Sequence, residues 1–256
     1  MATYNRPDLL LSTLRSISVA NRLDGIEFQI FDDCSKTLSW ASIRTDFPWI
    51  TAIHPSDVNL GADGNLLRIL EFFRSSSFTH LLFLDSDCVV RDDLFEFLLA
   101  LPDDPKTVWS AYRSCFHSEG RSSDHEEFVE KASLGALGMF LSKNQVETFL
   151  SAPRPPSAVD WQLVFFFRSK GCRFFAPSES RVEHTGWKGA HNRIGCPDRA
   201  VSFRATNPQD ESLLAALREK FRHERNLKDR CLDLYKTRMN SIFRFRLRSV
   251  LKSWGI

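Results

Sequence analysis

No stretch of this sequence stays apolar for long. Its apolar runs, such as Leu81 to Leu84 and Val164 to Phe167, fall far short of the roughly 20 residues that a helix needs to cross a bilayer, so no transmembrane helix is expected. The opening residues, Met1-Ala2-Thr3-Tyr4-Asn5-Arg6, lack the basic and then apolar stretch of a secretory signal. Six cysteines, at 34, 88, 115, 172, 196 and 231, include no CxxC pair. A cytoplasmic, reducing setting is therefore expected rather than a disulfide framework. Internal repeats and low-complexity segments are missing too. What remains is 256 residues, 43% hydrophobic and 26% charged, a composition that excludes a disordered or collagen-like chain and can bury a sizeable core.

Charge is unevenly spread. From Ala215 to Ile256 there are twelve Lys or Arg and four acids, a local net charge of +8 in a chain whose total is +2, which leaves −6 for the rest. That partition suggests a body over residues 1–206 and a helical basic extension over 207–256. In the extension Phe243, Leu247, Val250, Leu251 and Trp254 share one helical stripe flanked by Arg244, Arg248 and Lys252. Such a stripe suits an interfacial helix drawn to anionic lipid on the inner face of the cytoplasmic membrane. It equally suits a helix docked on the body or on another subunit of an oligomer. No recognition module or stacking platform points to nucleic acid.

Hydrophobic periodicity alternates between strand and helix. Pro7 at a first helical position, Asp8 in the first turn and Leu10, Leu14 and Ile17 on one stripe predict a helix over about 7–21. Ile26, Phe28 and Ile30 alternate as a strand ending at Asp32-Asp33, and a second strand is expected at Trp49 to His54. A loop at Asn59-Leu60-Gly61 leads into a helix near Asp63 to Phe73; Thr79 to Leu84 then forms a strand of the doubly covered kind. Arg113 to Lys131 is polar enough to be a long loop. A strand is expected over Leu134 to Leu141, a helix over Asp160 to Lys170 closed by Gly171, and short strands at Arg173 to Ala176 and Val182 to His184. The pattern is α/β, with a mixed, mostly parallel sheet flanked by helices.

In an open α/β sheet, ligands bind beyond the carboxyl ends of the strands. Three such ends here carry acids or polar turns: Asp32-Asp33, the loop 59–61, and Asp85-Ser86-Asp87. An acid-x-acid pair means little alone, since 32 acids in 256 residues give about four by chance. Two carboxylates at i and i+2 on an extended strand end point the same way, however, and their hard oxygens suit Mg²⁺ or Mn²⁺ bridged to a diphosphate. A solvated strand-end turn with Asp87 capping Cys88 is the alternative.

These residues, taken in order, resemble the GT-A-fold (Rossmann-like) nucleotide-sugar glycosyltransferases, close to family 2, over nearly all of residues 1–190. Ala2-Thr3-Tyr4-Asn5-Arg6-Pro7 looks like the family's opening "TYNRP" turn, and Phe31-Asp32-Asp33-Cys34-Ser35 like its "vDDgS", with Cys34 where glycine is usual. Asn59-Leu60-Gly61 with Asn65 and Arg68 resembles the "NlG…N" segment, and Leu84-Asp85-Ser86-Asp87 the DxD. Val159-Asp160-Trp161-Gln162-Leu163 is similar to the "ED…L" helix start, Val159 replacing the common glutamate, and His184-Thr185-Gly186 to the late histidine before a glycine. In that family the opening turn follows a longer apolar strand; only Met1 and Ala2 precede Thr3 here, so a start upstream of Met1 is expected.

The resemblance implies a metal-dependent, inverting transfer from a nucleotide-diphosphate sugar, UDP-linked by expectation, to a glycan or lipid-linked hydroxyl. It implies that Asp32 accepts a base N–H, that Tyr4 packs beside the base, and that Asp33 is the lesser contact. Thr3, Arg6, Asn65, Arg68 and Ser86 complete the expected donor site. Asp85 and Asp87 would reach the ribose and the Mn²⁺ or Mg²⁺, with His184 on the metal or diphosphate. Asp160 would be the general base; otherwise it is a helix N-terminal acid favoured by the macrodipole. Trp161 and Phe165 to Phe167 read as core, whereas Trp187 between glycine and lysine reads as a stacking or gating side chain. Cys115, His117 and His125 lack a fourth ligand at a zinc spacing. Two other classes fit less well: a nucleotidyltransferase, which wants an early glycine-rich basic loop, and a non-catalytic nucleotide-sugar or glycan-binding scaffold, in which Asp160 is structural.

Overall fold

A strand whose alternate residues are both apolar must be covered on both faces, and Phe28 to Phe31 shows how this is met. Ile30 and Phe28 enter one hydrophobic cluster while Phe31 enters another. In the computed structural model, residues 1–20, 25–120, 127–153, 158–186 and 198–222 are described. Helix α1 (Pro7–Ser18), strand β5 (Cys88–Val90), helix α4 (Leu94–Leu99) and helix α7 (Pro208–Arg222) contribute to the first cluster. Helices α3 (Gly61–Ser75), α5 (Lys143–Leu150) and α6 (Val159–Ser169) build the second on the opposite face.

Strands β1 (Ala2–Thr3), β2 (Phe28–Asp32) and β3 (Ile50–Pro55) pair in parallel, with Thr3 opposite Asp32 and Asp32 opposite Pro55. Short helix α2 (Trp40–Asp46) connects β2 to β3. Beyond β1 lies the chain that leaves β4 (His80–Leu82): Ala2 N–H donates to the Leu84 carbonyl at 2.8 Å, and Ala2 bridges Asp85 in parallel. From β4 the order continues through β8 (Met139–Ser142), β6 (Thr107–Ser110), β9 (Arg173–Pro177) and β7 (Phe128–Lys131). Pairing in this second half is antiparallel except between β6 and β9. The sheet is therefore mixed, with its parallel half at the amino-terminal end of the chain. Strand β10 (Val182–His184) pairs antiparallel with β5 and sets His184 opposite Cys88.

The free edge of β5 is satisfied by a helix instead of a strand. Thr13 Oγ1 accepts from Cys88 N–H at 3.0 Å and donates to the Cys88 carbonyl at 2.8 Å; Ser16 does the same for Val90. Both hydroxyls are buried on the same face of α1 as Leu10, Leu14 and Ile17, so backbone groups that would otherwise be orphaned are paired.

Two expectations differ from the structure. The strand expected over Leu134 to Leu141 starts only at Met139, because Gly138 adopts φ +76°, a left-handed turn that interrupts extended backbone. The polar segment Arg113 to Lys131 ends in strand β7, whose Glu130 and Lys131 hide the period-2 signal at a sheet edge. Helix α6 is closed as expected by Gly171 at φ +74°, and Phe165, Phe166 and Phe167 are core. Helix α7 sits on the body through buried Leu214, while the remainder of the basic extension, with its apolar stripe, lies outside the described residues. No described helix is long and apolar enough to cross a membrane.

Candidate functional site

The carboxyl ends of β1 and β2 are held by two turns braced against each other. Asn5 and Cys34 both adopt left-handed backbone, φ 47° and 68°, which explains why glycine is the residue expected at the second. Asn5 N–H donates to Ser35 Oγ at 2.8 Å, and Asn5 Oδ1 accepts from Lys36 N–H at 2.7 Å. Asp32 is buried, and its two carboxylate oxygens share the Ser35 N–H at 3.1 and 3.2 Å. One backbone donor leaves a carboxylate with acceptor capacity to spare. Asp33 instead grips the neighbouring loop, accepting from Leu60 N–H at 2.7 Å. Tyr4 is 43% exposed beside this pair, while Thr3 is buried with no hydrogen-bond partner for its hydroxyl among the described residues.

Asn65 and Arg68 sit behind the strand ends. Asn65 Nδ2 donates to the Phe31 carbonyl at 3.0 Å. Arg68 spends its guanidinium on the carbonyls of Asp32, His54 and Pro55, at 3.2, 2.7 and 2.9 Å. These bonds fix the carboxyl termini of β2 and β3.

Next to β1, the acid-Ser-acid turn between β4 and β5 places Asp87 against two cations. Arg6, at the start of α1, donates to Asp87 Oδ2, and His184 Nε2 lies 3.4 Å from Asp87 Oδ1. The β5–β10 register is what delivers His184, with Thr185 N–H donating to the Asp87 carbonyl at 2.8 Å. On its other nitrogen, His184 Nδ1 meets the Asp198 carbonyl at 3.1 Å, which orients the ring. Burial drives Asp85 up to about 7, aided by the adjacent Asp87 charge. Burial also opposes ionisation of Asp87, but the His184 hydrogen bond and the His184 and Arg6 charges hold its carboxyl below the usual range. His184 is correspondingly raised to about 9, its burial outweighed by Asp87.

Asp160 stands in the first turn of α6 and accepts from Trp161 N–H at 2.8 Å. Trp187 and His125 lie outside the described residues, and His117 directs Nδ1 to Ser133 Oγ at 2.7 Å. Glu183, for which no role was foreseen, is buried and accepts from the N–H groups of His184 and Ala200 at 3.0 and 2.8 Å; it fixes the backbone that carries His184.

The sequence profile described as "Glycosyl transferase family 2" matches residues 1–169. The chain belongs to glycosyl transferase family 2. Its fold is shared with solved structures at low identity. One is Staphylococcus aureus TarS 1-349 in complex with UDP-GlcNAc, at TM-score 0.56 and 16% identity, covering 75% of this chain and 58% of that one. Another is GalNAc-T7 with UDP, GalNAc and Mn²⁺, at TM-score 0.58 and 12% identity, covering 72% and 42%. The chain thus spans less than two thirds of these neighbours' lengths. No curated protein sequence matches it.

A divalent cation is the cofactor that this family's DxD implies. Among the described residues, no three His, Cys, Asp or Glu side chains form a ready-made cation site. Asp87 and His184 do converge, and Mg²⁺ or Mn²⁺ commonly takes only one or two protein ligands, completing its shell with substrate phosphates and water. The pair fits that incomplete kind of site, with Asp85 alongside, provided that His184 gives up its Nε2 proton as the cation enters, since only a neutral imidazole can be a ligand.

Proposed function

We propose that this family 2 glycosyltransferase moves a sugar from a UDP-linked donor to a hydroxyl of a glycan or lipid-linked acceptor, with inversion. The observation that supports it best is the meeting of Asp87 with His184 beside the ends of β1 and β2, where Asp32 retains acceptor capacity. Asp32 takes a base N–H and Tyr4 covers the base; Asp85 and Ser86 face the ribose and diphosphate. Asp87 and His184 would hold Mn²⁺ or Mg²⁺, which supplies positive charge to the diphosphate as it departs. Arg6, already on Asp87, adds a second positive charge beside the leaving group. Asp160 accepts the proton of the acceptor hydroxyl as that oxygen attacks the anomeric carbon, a contribution of roughly 10²- to 10⁴-fold. The basic, one-sided apolar stripe of residues 243–254 supports a lipid-linked acceptor at an anionic membrane surface.

The test pairs two substitutions with a panel of nucleotide sugars. Asp87→Ala should abolish the Mn²⁺-dependent part of UDP affinity, and Asp160→Asn should preserve UDP affinity while cutting transfer by about 10² or more. Metal-dependent affinity unchanged in the first, or most transfer retained in the second, would overturn the corresponding assignment.

A further inference from the structure

Helix α6 carries the proposed base, yet its N-cap residue has no side chain that could cap it. An α-helix begins with N–H groups that have no partner within the helix, and they are usually met by a Ser, Thr, Asp or Asn at the N-cap. Here the N-cap is Ala158, which has no acceptor and makes no side-chain cap bond. Its backbone is left-handed, φ 55° and ψ 44°. That conformation is unfavourable for any residue with a Cβ and persists only where its surroundings hold it.

The missing cap comes from another helix. Asp63, 95 residues earlier and in the first turn of α3, accepts from Ala158 N–H through Oδ2 and from Val159 N–H through Oδ1, both at 2.8 Å. A carboxylate on two successive backbone donors is a strong, charge-assisted and directional grip. The gripped groups immediately precede Asp160. Behind them α6 is wedged tightly, with Val159, Gln162, Leu163 and Val164 essentially inaccessible to water. Rotation of the first turn is thus opposed by core packing on one side and by Asp63 on the other. Asp63 is itself set by a fixed loop, since Leu60 N–H is held by Asp33 at the end of β2.

We infer that Asp63 is the positioning residue of the transfer reaction: by capping α6 from α3 it fixes where the Asp160 carboxylate stands relative to the donor site. The inference rests on the role of Asp160 proposed above. Asp63 touches no reacting atom, so its loss moves the rate of the chemical step and leaves donor binding alone. A misplacement of about 1 Å of a catalytic group can cost as much as 10²-fold.

The test is a double-mutant cycle of Asp63→Ala and Asp160→Asn in the full chain, read as kcat, donor KM and UDP affinity well below the melting temperature. Asp63→Ala should lower kcat by about tenfold or more, with UDP affinity within about threefold of wild type. In the Asp160→Asn background the same change should have almost no further effect on kcat, because no base remains to be placed. A purely structural role would lower melting temperature without that non-additivity. If Asp63→Ala fails to fold, Asp63→Asn, which keeps one acceptor oxygen, should show a smaller kcat loss of the same kind. Full kcat in a folded Asp63 variant, or losses that simply multiply with those of Asp160→Asn, would overturn the inference while leaving Asp160 as base. Transfer retained by Asp160→Asn alone would overturn both.

Discussion

Gly186 offers a way to disturb the candidate metal site without altering any side chain that could touch metal. Its φ is ordinary, so alanine is not excluded by backbone conformation; space decides. A Cβ built at Gly186 falls well inside van der Waals contact of the Asp87 carboxylate and 2.9 Å from His184 Nε2. The carboxylate belongs to a short side chain, 5% exposed, and is fixed on one oxygen by Arg6 and near the other by His184. It cannot yield without giving up those partners. Breaking a buried ion pair in this way costs about 3–5 kcal/mol, so for a chain of this size Gly186→Ala should lower the melting temperature by roughly 6–20 °C. Because Asp87 would leave its place opposite His184, Mn²⁺ affinity in the presence of UDP should fall by at least about tenfold, the equivalent of ~1.4 kcal/mol. Free Mn²⁺ measured by electron paramagnetic resonance, together with a thermal melt, checks both numbers. Wild-type Mn²⁺ binding in the alanine variant would refute the claim that Gly186 exists to leave room for Asp87.

Two other outcomes follow from groups away from the chemistry. Thr13→Val keeps shape and β-branching but leaves the buried Cys88 N–H and carbonyl without partners; at about 1–3 kcal/mol for each such group, the melting temperature should drop by at least about 5 °C, and a drop under 2 °C would contradict the strand-edge role of α1. His117 titrates at about 4 in the folded protein, through burial first and the Lys131 charge second, against 6.5 ordinarily. The unfolded chain therefore binds this proton first as pH falls, and stability declines from pH 6.5 toward 4 by ~1.4 kcal/mol per pH unit, about 3 kcal/mol in all. Urea midpoints of wild type and His117→Asn across pH 7 to 4 should converge in acid relative to their difference at pH 7, and parallel curves would refute this.

The sequence was most legible where a signal is local. Pro7 with the stripe Leu10, Leu14 and Ile17 marks α1, and alternation marks β2, because periodicity records which face a residue buries. The same reasoning failed at β7, where an edge strand carries Glu130 and Lys131, and at Leu134 to Gly138, where apolar residues precede a left-handed glycine turn. In the site, the acids at strand ends were readable from spacing and resemblance. Asn65 and Arg68 were readable as important but not as supports for β2 and β3, since a polar pair at i and i+3 looks the same whether it faces a ligand or a strand end. Asp63 gave no signal of its own: an acid in a first turn is expected of any helix, and its true partners are 95 residues away.

What distinguishes Asp85 and Asp87 from the acid pairs expected by chance is therefore not their spacing but what the sheet sets beside them. Parallel contact of β1 with the chain after β4 brings Arg6 to Asp87, and the β5–β10 register brings His184 to its other side. Without those neighbours, burial of both carboxylates would push both toward the neutral form. With them the two separate, Asp87 held ionised and Asp85 raised to about 7. A solvated strand-end turn has no need of such an arrangement, because water alone keeps its acids charged. Buried charge held by a helix-start arginine and a strand-end histidine is costly to assemble, and in an open α/β sheet it stands where ligands bind. The electrostatic neighbourhood, more than the motif, is what supports the proposal of a donor site at this turn.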